Sequence, residues 1–270
     1  MSDQKRGVSR RDFGKAAAAV SFAAWTARQA RAEVNSDTLR LGIIGCGGRG
    51  TGAVMDHLRS NDNVVLVGMA DVFQDKIDNA KNNFAKDPNV ASKLAIEDDR
   101  CFVGFDAYKK LLATDIDIVI QATTPYIRPL HIAAAVDAGK HIFTEKPAAT
   151  DPNGIRLFIG ASKKAEAKGL SLVAGTQRRH QKSYVDTMKR ILDGEIGEIL
   201  SARAYWCGSL PFAHERQESW SDLETCLRNW YAYCWVCGDN IVEQHVHNID
   251  IINWAMGGPV SYTHLRAHET

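Results

Sequence analysis

Net charge is almost absent from this sequence: 33 lysines and arginines face 32 aspartates and glutamates over 270 residues, leaving a formal +1. No basic block with interleaved aromatics stands out, so nothing electrostatic argues for nucleic acid or an anionic membrane as a partner. Long apolar runs are lacking too. The stretch from Ala16 to Ala27 is too short and too small-sided to stay in a bilayer as a permanent span. The six cysteines (Cys46, Cys101, Cys207, Cys226, Cys234, Cys237) are scattered and make no framework. Cys234 and Cys237 have CxxC spacing, but no second CxxC or nearby His/Cys pair completes a four-ligand site, and no βαβ context surrounds them. They read as buried or incidental thiols, and no metal is expected. No internal repeat or low-complexity linker divides the chain. What remains is 45% hydrophobic and 24% charged residues, enough apolar material for a sizeable core, with a small molecule as the expected partner.

The two ends read differently from the rest. Ser9-Arg10-Arg11-Asp12-Phe13-Gly14-Lys15, the apolar run after it and Ala30-Arg31-Ala32 follow one another as in a twin-arginine signal peptide. Residues 1–32 are therefore expected to be an export signal read by the Tat machinery, which carries folded cargo to the periplasm or another extracytoplasmic space. The mature chain would start near Glu33. At the other end, Val260 to Thr270 (VSYTHLRAHET) reads as the translation of a transposase-based sequencing-library adapter. His264 and His268 are not metal ligands on that reading, and the authentic sequence would stop near Pro259.

Between the ends, apolar runs alternate with helical stretches. A β-rich run opens at Leu39 and a second, Val64 to Ala70, stops at Asp71. A polar helix near Asp75 to Lys86 leads to a loop with Pro88 and several charges. The third run, Ile116 to Ala122, ends in Thr123-Thr124-Pro125. A helix from about Pro129 to Ala138 with Gly139 after it precedes the strand His141 to Thr144, and a helix near Pro152 to Lys168 precedes Leu170 to Ala174. This alternation predicts an α/β fold with a parallel, doubly wound sheet over residues 33–176. The pattern then changes. Tyr184 to Leu192 is helical, Gly194 to Gly197 is a turn, and Ile199 to Trp206 alternates like an antiparallel strand. The boundary is placed near Gly175 to His180, with 177–259 the start of a second domain and 260–270 the foreign tail.

Three clusters carry chemistry. Gly45-Cys46-Gly47-Gly48-Arg49-Gly50 fits G-x-G-x-x-G, follows a strand and opens a helix, the context that turns a weak motif into a dinucleotide site. Gly45 permits the tight turn, Gly47 lets backbone approach a pyrophosphate, and Gly50 lets helix and strand pack closely. Gly48 and Arg49 complete the loop, and the helix N-terminus supplies N–H donors for the phosphates. Asp71, 21 residues past Gly50, can accept from a ribose 2′-OH and would repel a 2′-phosphate, which favours NAD with NADP as the alternative. A plain strand-ending residue is the lesser reading of Asp71. Thr123 and Pro125 lie at a strand's carboxyl end, where ligands bind in such sheets. So do Glu145 and Lys146 of Glu145-Lys146-Pro147, and all four are further candidates for the cofactor site. Lys146 could also polarise a hydroxyl or carbonyl beside a nicotinamide, although spacing alone favours an ordinary surface lysine. Glu243 and His247, four apart in a stretch of helical period, would share one face. A carboxylate there can orient an imidazole that takes a hydroxyl proton, and a plain surface pair fits as well.

Taken in order, GCGGRG, TEKPA and VEQHVHNID followed by INW resemble the Gfo/Idh/MocA family (glucose–fructose oxidoreductase and inositol dehydrogenase), over about Leu39 to Pro259. The stretches GTQRRH and GDNIVEQHVHNIDIINWAMGG resemble its Tat-exported, sugar-directed branch. The resemblance implies an N-terminal Rossmann domain, then an α/β domain with a mostly antiparallel sheet that builds the substrate pocket and commonly the homo-oligomer interface. That second domain would be incomplete here. By motif match Lys146 is the active-site lysine and His247 the acid/base histidine. Glu243 stands where family members often have Asp. The implied reaction is hydride transfer between nicotinamide and a secondary alcohol of a sugar or polyol. An exported NAD-dependent glycosidase of the same family, working by transient oxidation and elimination, is the second reading. A non-catalytic dinucleotide-binding protein is the third.

Overall fold

The computed structural model describes residues 37–208 and 212–257; the expected signal at 1–32 and the expected tail at 260–270 lie outside the described residues. Among the described residues six strands form one sheet: β1 (Leu39–Ile44), β2 (Val64–Asp71), β3 (Cys101–Val103), β4 (Ile118–Gln121), β5 (His141–Thr144) and β6 (Leu172–Ala174). Their order is β3-β2-β1-β4-β5-β6, and every neighbouring pair is parallel. The chain winds outward from β1 in one direction, then returns and winds outward in the other. The reversal between β1 and β4 leaves a crevice at the carboxyl ends of those two strands, where a ligand is accommodated in such sheets.

Burial explains why the strands read as unbroken apolar runs. In β2 the seven residues before Asp71 are all buried, because both faces of a parallel sheet are covered by helices. On one face Leu41, Ile43, Leu66 and Met69 pack against α1 (Gly48–Ser60) and α2 (Gln74–Ala85), through Val54, Leu58, Ile77 and Phe84. A single capped turn, α3 (Pro88–Ala91), follows. Asp87 accepts from the Asn89 N–H there, and Pro88 occupies the first helical position, where a missing N–H costs nothing. On the other face Val65, Val67 and Val119 pack against α4 (Ala107–Leu112), α5 (Arg128–Asp137) and α6 (Pro152–Ala167), through Leu111, Ile132, Val136 and Ala161. β3 and α4 fall where the sequence reads as a charged loop.

After the sheet come α7 (Lys182–Leu192), α8 (Asp222–Arg228), the single turn α9 (Cys234–Cys237) and α10 (Val246–Ala255). The expected strand from Ile199 to Trp206 is not formed: 199–208 joins no sheet. Alternation alone cannot make a strand, because its N–H and C=O groups need a neighbouring ladder, and no described segment supplies one.

The later part of the chain runs along the carboxyl edge of the sheet and is tied to it at three places. Arg228 forms a two-pronged ion pair with Asp75 just past β2, and its guanidinium lies 4.0 Å from the Phe73 ring centroid. Tyr126, past β4, donates its backbone N–H to the Val236 carbonyl at 3.1 Å. Lys146, past β5, reaches Glu243. Residues 228–243 are therefore attached along this edge from its β2 side to its β5 side.

Phe84 is fully buried in the core under α2. Phe84→Ala is expected to lower unfolding free energy by about 3–5 kcal/mol in a urea titration. A loss under about 1 kcal/mol would mean that this face is not packed as described.

Candidate active site

The crevice floor is the turn after β1. Gly45 has φ +96°, a conformation L side chains rarely adopt, and its N–H donates to the Ala70 carbonyl at 2.8 Å. A Cβ on Gly45 would lie 2.7 Å from the Ala122 carbonyl carbon and the Thr123 nitrogen, so only glycine lets this turn rest on the end of β4. A Cβ on Gly50 would lie 2.0 Å from the Gly45 carbonyl oxygen, which fixes how closely α1 approaches the turn. Gly47 and Gly48 differ, since a Cβ on either would meet nothing within 4 Å. They present bare backbone to open space at the start of α1, whose first turn has no side-chain cap and no acidic residue. Unclaimed N–H groups, the positive end of a helix dipole and backbone free of side chains fit a dinucleotide pyrophosphate.

Asp71 closes the next strand. Its Oδ2 accepts from the Cys46 N–H at 2.6 Å and its Oδ1 from the Phe73 N–H at 2.9 Å. Burial pushes this carboxyl above its usual range, while the two N–H donors pull it back. The side chain thus braces the glycine turn, and each oxygen keeps a second lone pair with which a ribose hydroxyl could be held. Arg49, at the start of α1, reaches across to Glu145 past β5, with Nε to Oε1 at 2.6 Å. Glu145 is buried and Arg49 largely exposed, so the pair bridges the two walls rather than adding much stability. Thr123 lies at the end of β4 opposite Gly45, with Pro125 two residues on, and the Thr123 hydroxyl accepts from the Gln121 amide.

Lys146, Glu243 and His247 converge from two distant segments. Lys146 donates to Glu243 twice, to the carbonyl at 2.6 Å and to Oε1 at 2.8 Å. Glu243 lies in a single π turn, Ile241–His245, leading into α10. Such a wide turn alters the angle between successive side chains, and π turns gather at functional sites. The carboxylate consequently faces Lys146, and its Oε2 is buried without a hydrogen-bond partner. This corrects the expectation that Glu243 orients the imidazole of His247. Burial holds Glu243 above the usual carboxylate range although Lys146 opposes it. His247 is buried and stacks on Trp206, ring centroids 6.0 Å apart. Burial, then the charges of Lys146 and Arg178, lower its pKa to about 4, so the imidazole is neutral at pH 7 and free to accept a proton. Arg178 donates to Asn248 at 2.5 Å and lies over Tyr184 and Trp206. Spacing gave no sign of Trp206 or Arg178, or of a third residue, Arg128, whose buried guanidinium reaches the carbonyls of Thr123 and Pro147.

His131 is a second buried imidazole, stacked on Tyr108 at 4.0 Å, with its pKa lowered to about 4 by burial and then by Arg128. In the unfolded chain both histidines titrate near 6.5. Between those values the unfolded state binds more protons, so stability is full above about pH 6.5 and declines as pH falls toward 4. Urea midpoints are expected to drop from pH 7 to pH 5, and His131→Asn should flatten that slope. A midpoint independent of pH would contradict the buried neutral imidazoles.

Comparison with known proteins bears on the family and the fold. Residues 39–172 match the model of an oxidoreductase family with an NAD-binding Rossmann fold. An inositol 2-dehydrogenase/D-chiro-inositol 3-dehydrogenase of Shouchella clausii is 28% identical over 235 residues, covering 85% of this chain and 56% of the relative. A glycosyl hydrolase family 109 protein of Solibacter usitatus is 25% identical over 237 residues, covering 84% and 52%. The chain thus spans about half the length of these curated relatives. The crystal structure of scyllo-inositol dehydrogenase from Lactobacillus casei with bound NAD(H) and scyllo-inositol shares the fold at a TM-score of 0.59. It is 22% identical, with 82% of this chain and 56% of that one covered. Through the glycine turn, the six-stranded parallel sheet and the family match, residues 39–172 belong to the Gfo/Idh/MocA oxidoreductase family with its NAD-binding Rossmann fold.

Proposed function

We propose that this chain serves an NAD-dependent dehydrogenase that oxidises a secondary alcohol of a sugar or polyol. The observation that carries the reading is the meeting of a Glu243-held ammonium on Lys146 with a neutral buried imidazole on His247, beside the crevice that fits a dinucleotide. NAD, when bound, supplies the hydride acceptor. His247 takes the hydroxyl proton as the carbon–hydrogen bond yields its hydride, and an imidazole that is neutral at pH 7 is in the right state for this. Lys146 stabilises the negative charge that develops on oxygen, in a site where water is largely excluded. Glu243 holds Lys146 in place and keeps its charge compensated. The inositol dehydrogenases among the relatives support a polyol as the substrate class. Asp71 favours NAD over NADP, because a 2′-phosphate would meet a carboxylate.

A second reading has its own support in the glycosyl hydrolase relative. On that reading oxidation at one sugar carbon would acidify its neighbour, elimination would release the leaving sugar as an alcohol, water would add to the resulting double bond, and return of the hydride to the ketone would leave no net NADH. Accumulation of NADH separates the two: a dehydrogenase makes one per turnover and a glycosidase makes none. We also propose, from the twin-arginine sequence near the N-terminus, that the protein works outside the cytoplasm.

Incubation with NAD and a panel of inositols and hexoses is expected to yield NADH, and Lys146→Ala and His247→Ala should each reduce kcat/KM by about 10²-fold or more. Product formation unaffected by either substitution would overturn the assignment. Asp71→Ala is expected to narrow the preference for NAD over NADP, and an unchanged preference would remove Asp71 from cofactor choice.

A further inference from the structure

We infer that Arg128 is a positioning residue for Lys146, clamping the loop after β4 to the loop after β5 and so holding the ammonium against Glu243. The inference rests on the catalytic reading of Lys146 given above, and its geometry stands independently of that reading.

Arg128 is 4% exposed and opens α5. Its two terminal nitrogens donate to different loops: Nη2 to the Thr123 carbonyl, two residues past β4, and Nη1 to the Pro147 carbonyl, one residue past Lys146. Thr123 is also where the glycine turn rests, since its nitrogen lies 2.7 Å from the position a Gly45 Cβ would take. One guanidinium therefore links the wall that carries the glycine turn to the wall that carries Lys146.

This placement is costly in three respects. No described carboxylate forms an ion pair with Arg128, although Glu243 and Glu145 are near enough to favour its charge. Its Nε is buried without a partner. It also sets a positive charge at the positive end of a helix dipole. A buried cation with no paired anion is strongly disfavoured in protein interiors, so simple packing would be better served by an apolar side chain. Burial lowers the guanidinium only to about 10, and it remains a cation at neutral pH. What distinguishes arginine here is a rigid planar fork whose two separate nitrogens reach acceptors on two different loops; a lysine ammonium can serve two carbonyls, but only from a single atom, and glutamine has only one amide nitrogen.

The test compares Arg128→Lys, which keeps the charge without the fork, and Arg128→Gln, which loses both. The readout is the rate at which acetic anhydride labels individual lysines, followed by mass spectrometry, and it requires no turnover. Lys140 is an internal control, because it is held by the Thr114 and Ile116 carbonyls at the opposite end of the sheet. In both variants Lys146 is expected to label about tenfold faster than in the parent while Lys140 stays unchanged. Equal acceleration of Lys140 would mean general loosening and would overturn the positioning role. A parent-like rate for Lys146 in Arg128→Lys would overturn it too, because charge would then suffice without the fork. Should Arg128→Gln fail to fold, Arg128→Lys still decides between these outcomes. Absence of polyol oxidation in the parent, with the labelling change present, would refute the proposed reaction and leave the clamp standing.

Discussion

A buried ammonium needs an anion, and the ion pair between Lys146 and Glu243 is where two remote segments of this chain become one site. Lys146 is only 16% exposed and the Glu243 side chain 8%, so neither charge can be left to water. Breaking such a pair from one side leaves an uncompensated charge, which typically costs about 3–5 kcal/mol. The pair therefore holds the turn before α10 against the end of β5. It brings His247 close enough for the lysine's charge to depress its pKa. Desolvation does two jobs at once here: it makes the pair obligatory, and it keeps the imidazole neutral.

The same edge of the sheet is organised by close backbone approach. Gly45 lies against Ala122 and Thr123, and Gly50 against Gly45, so the glycine turn, α1 and β4 have almost no freedom relative to one another. Asp71 then ties the turn to β2 through Cys46. A site of this kind is preorganised by steric exclusion rather than by many side-chain contacts, and it leaves the N–H groups of α1 facing open space. Arg49 and Glu145 join the start of α1 to the loop that carries Lys146.

How much of this could be read from residues alone depends on the range of the interaction concerned. The glycine turn, Asp71 at the end of β2 and the place of Lys146 past β5 were legible, because strand–turn–helix patterns are local and burial on both faces gives continuous apolar runs; the burial of Lys146 was not, since spacing alone favours a surface lysine. The partner of Glu243 was not. Helical spacing pairs it with His247 four residues on, whereas the π turn redirects it to a lysine 97 positions earlier in the chain. Arg128 carried no signal either, since an arginine beside a proline at a helix start normally lies in solvent, and its two acceptors are backbone carbonyls that no side-chain pattern reveals. The stretch from Ile199 to Trp206 erred in the other direction: its alternation suits a strand, yet a strand exists only where a neighbour offers a ladder.

The central claim is that the turn after β1 and the Lys146–Glu243–His247 cluster serve one bound dinucleotide. A crystal structure of the chain with NAD tests it most directly. The expected result places the pyrophosphate on the first-turn N–H groups of α1 beside Gly47 and Gly48, with nicotinamide C4 turned toward Lys146 and His247. A pyrophosphate seated elsewhere, or a nicotinamide directed away from Lys146, would contradict it.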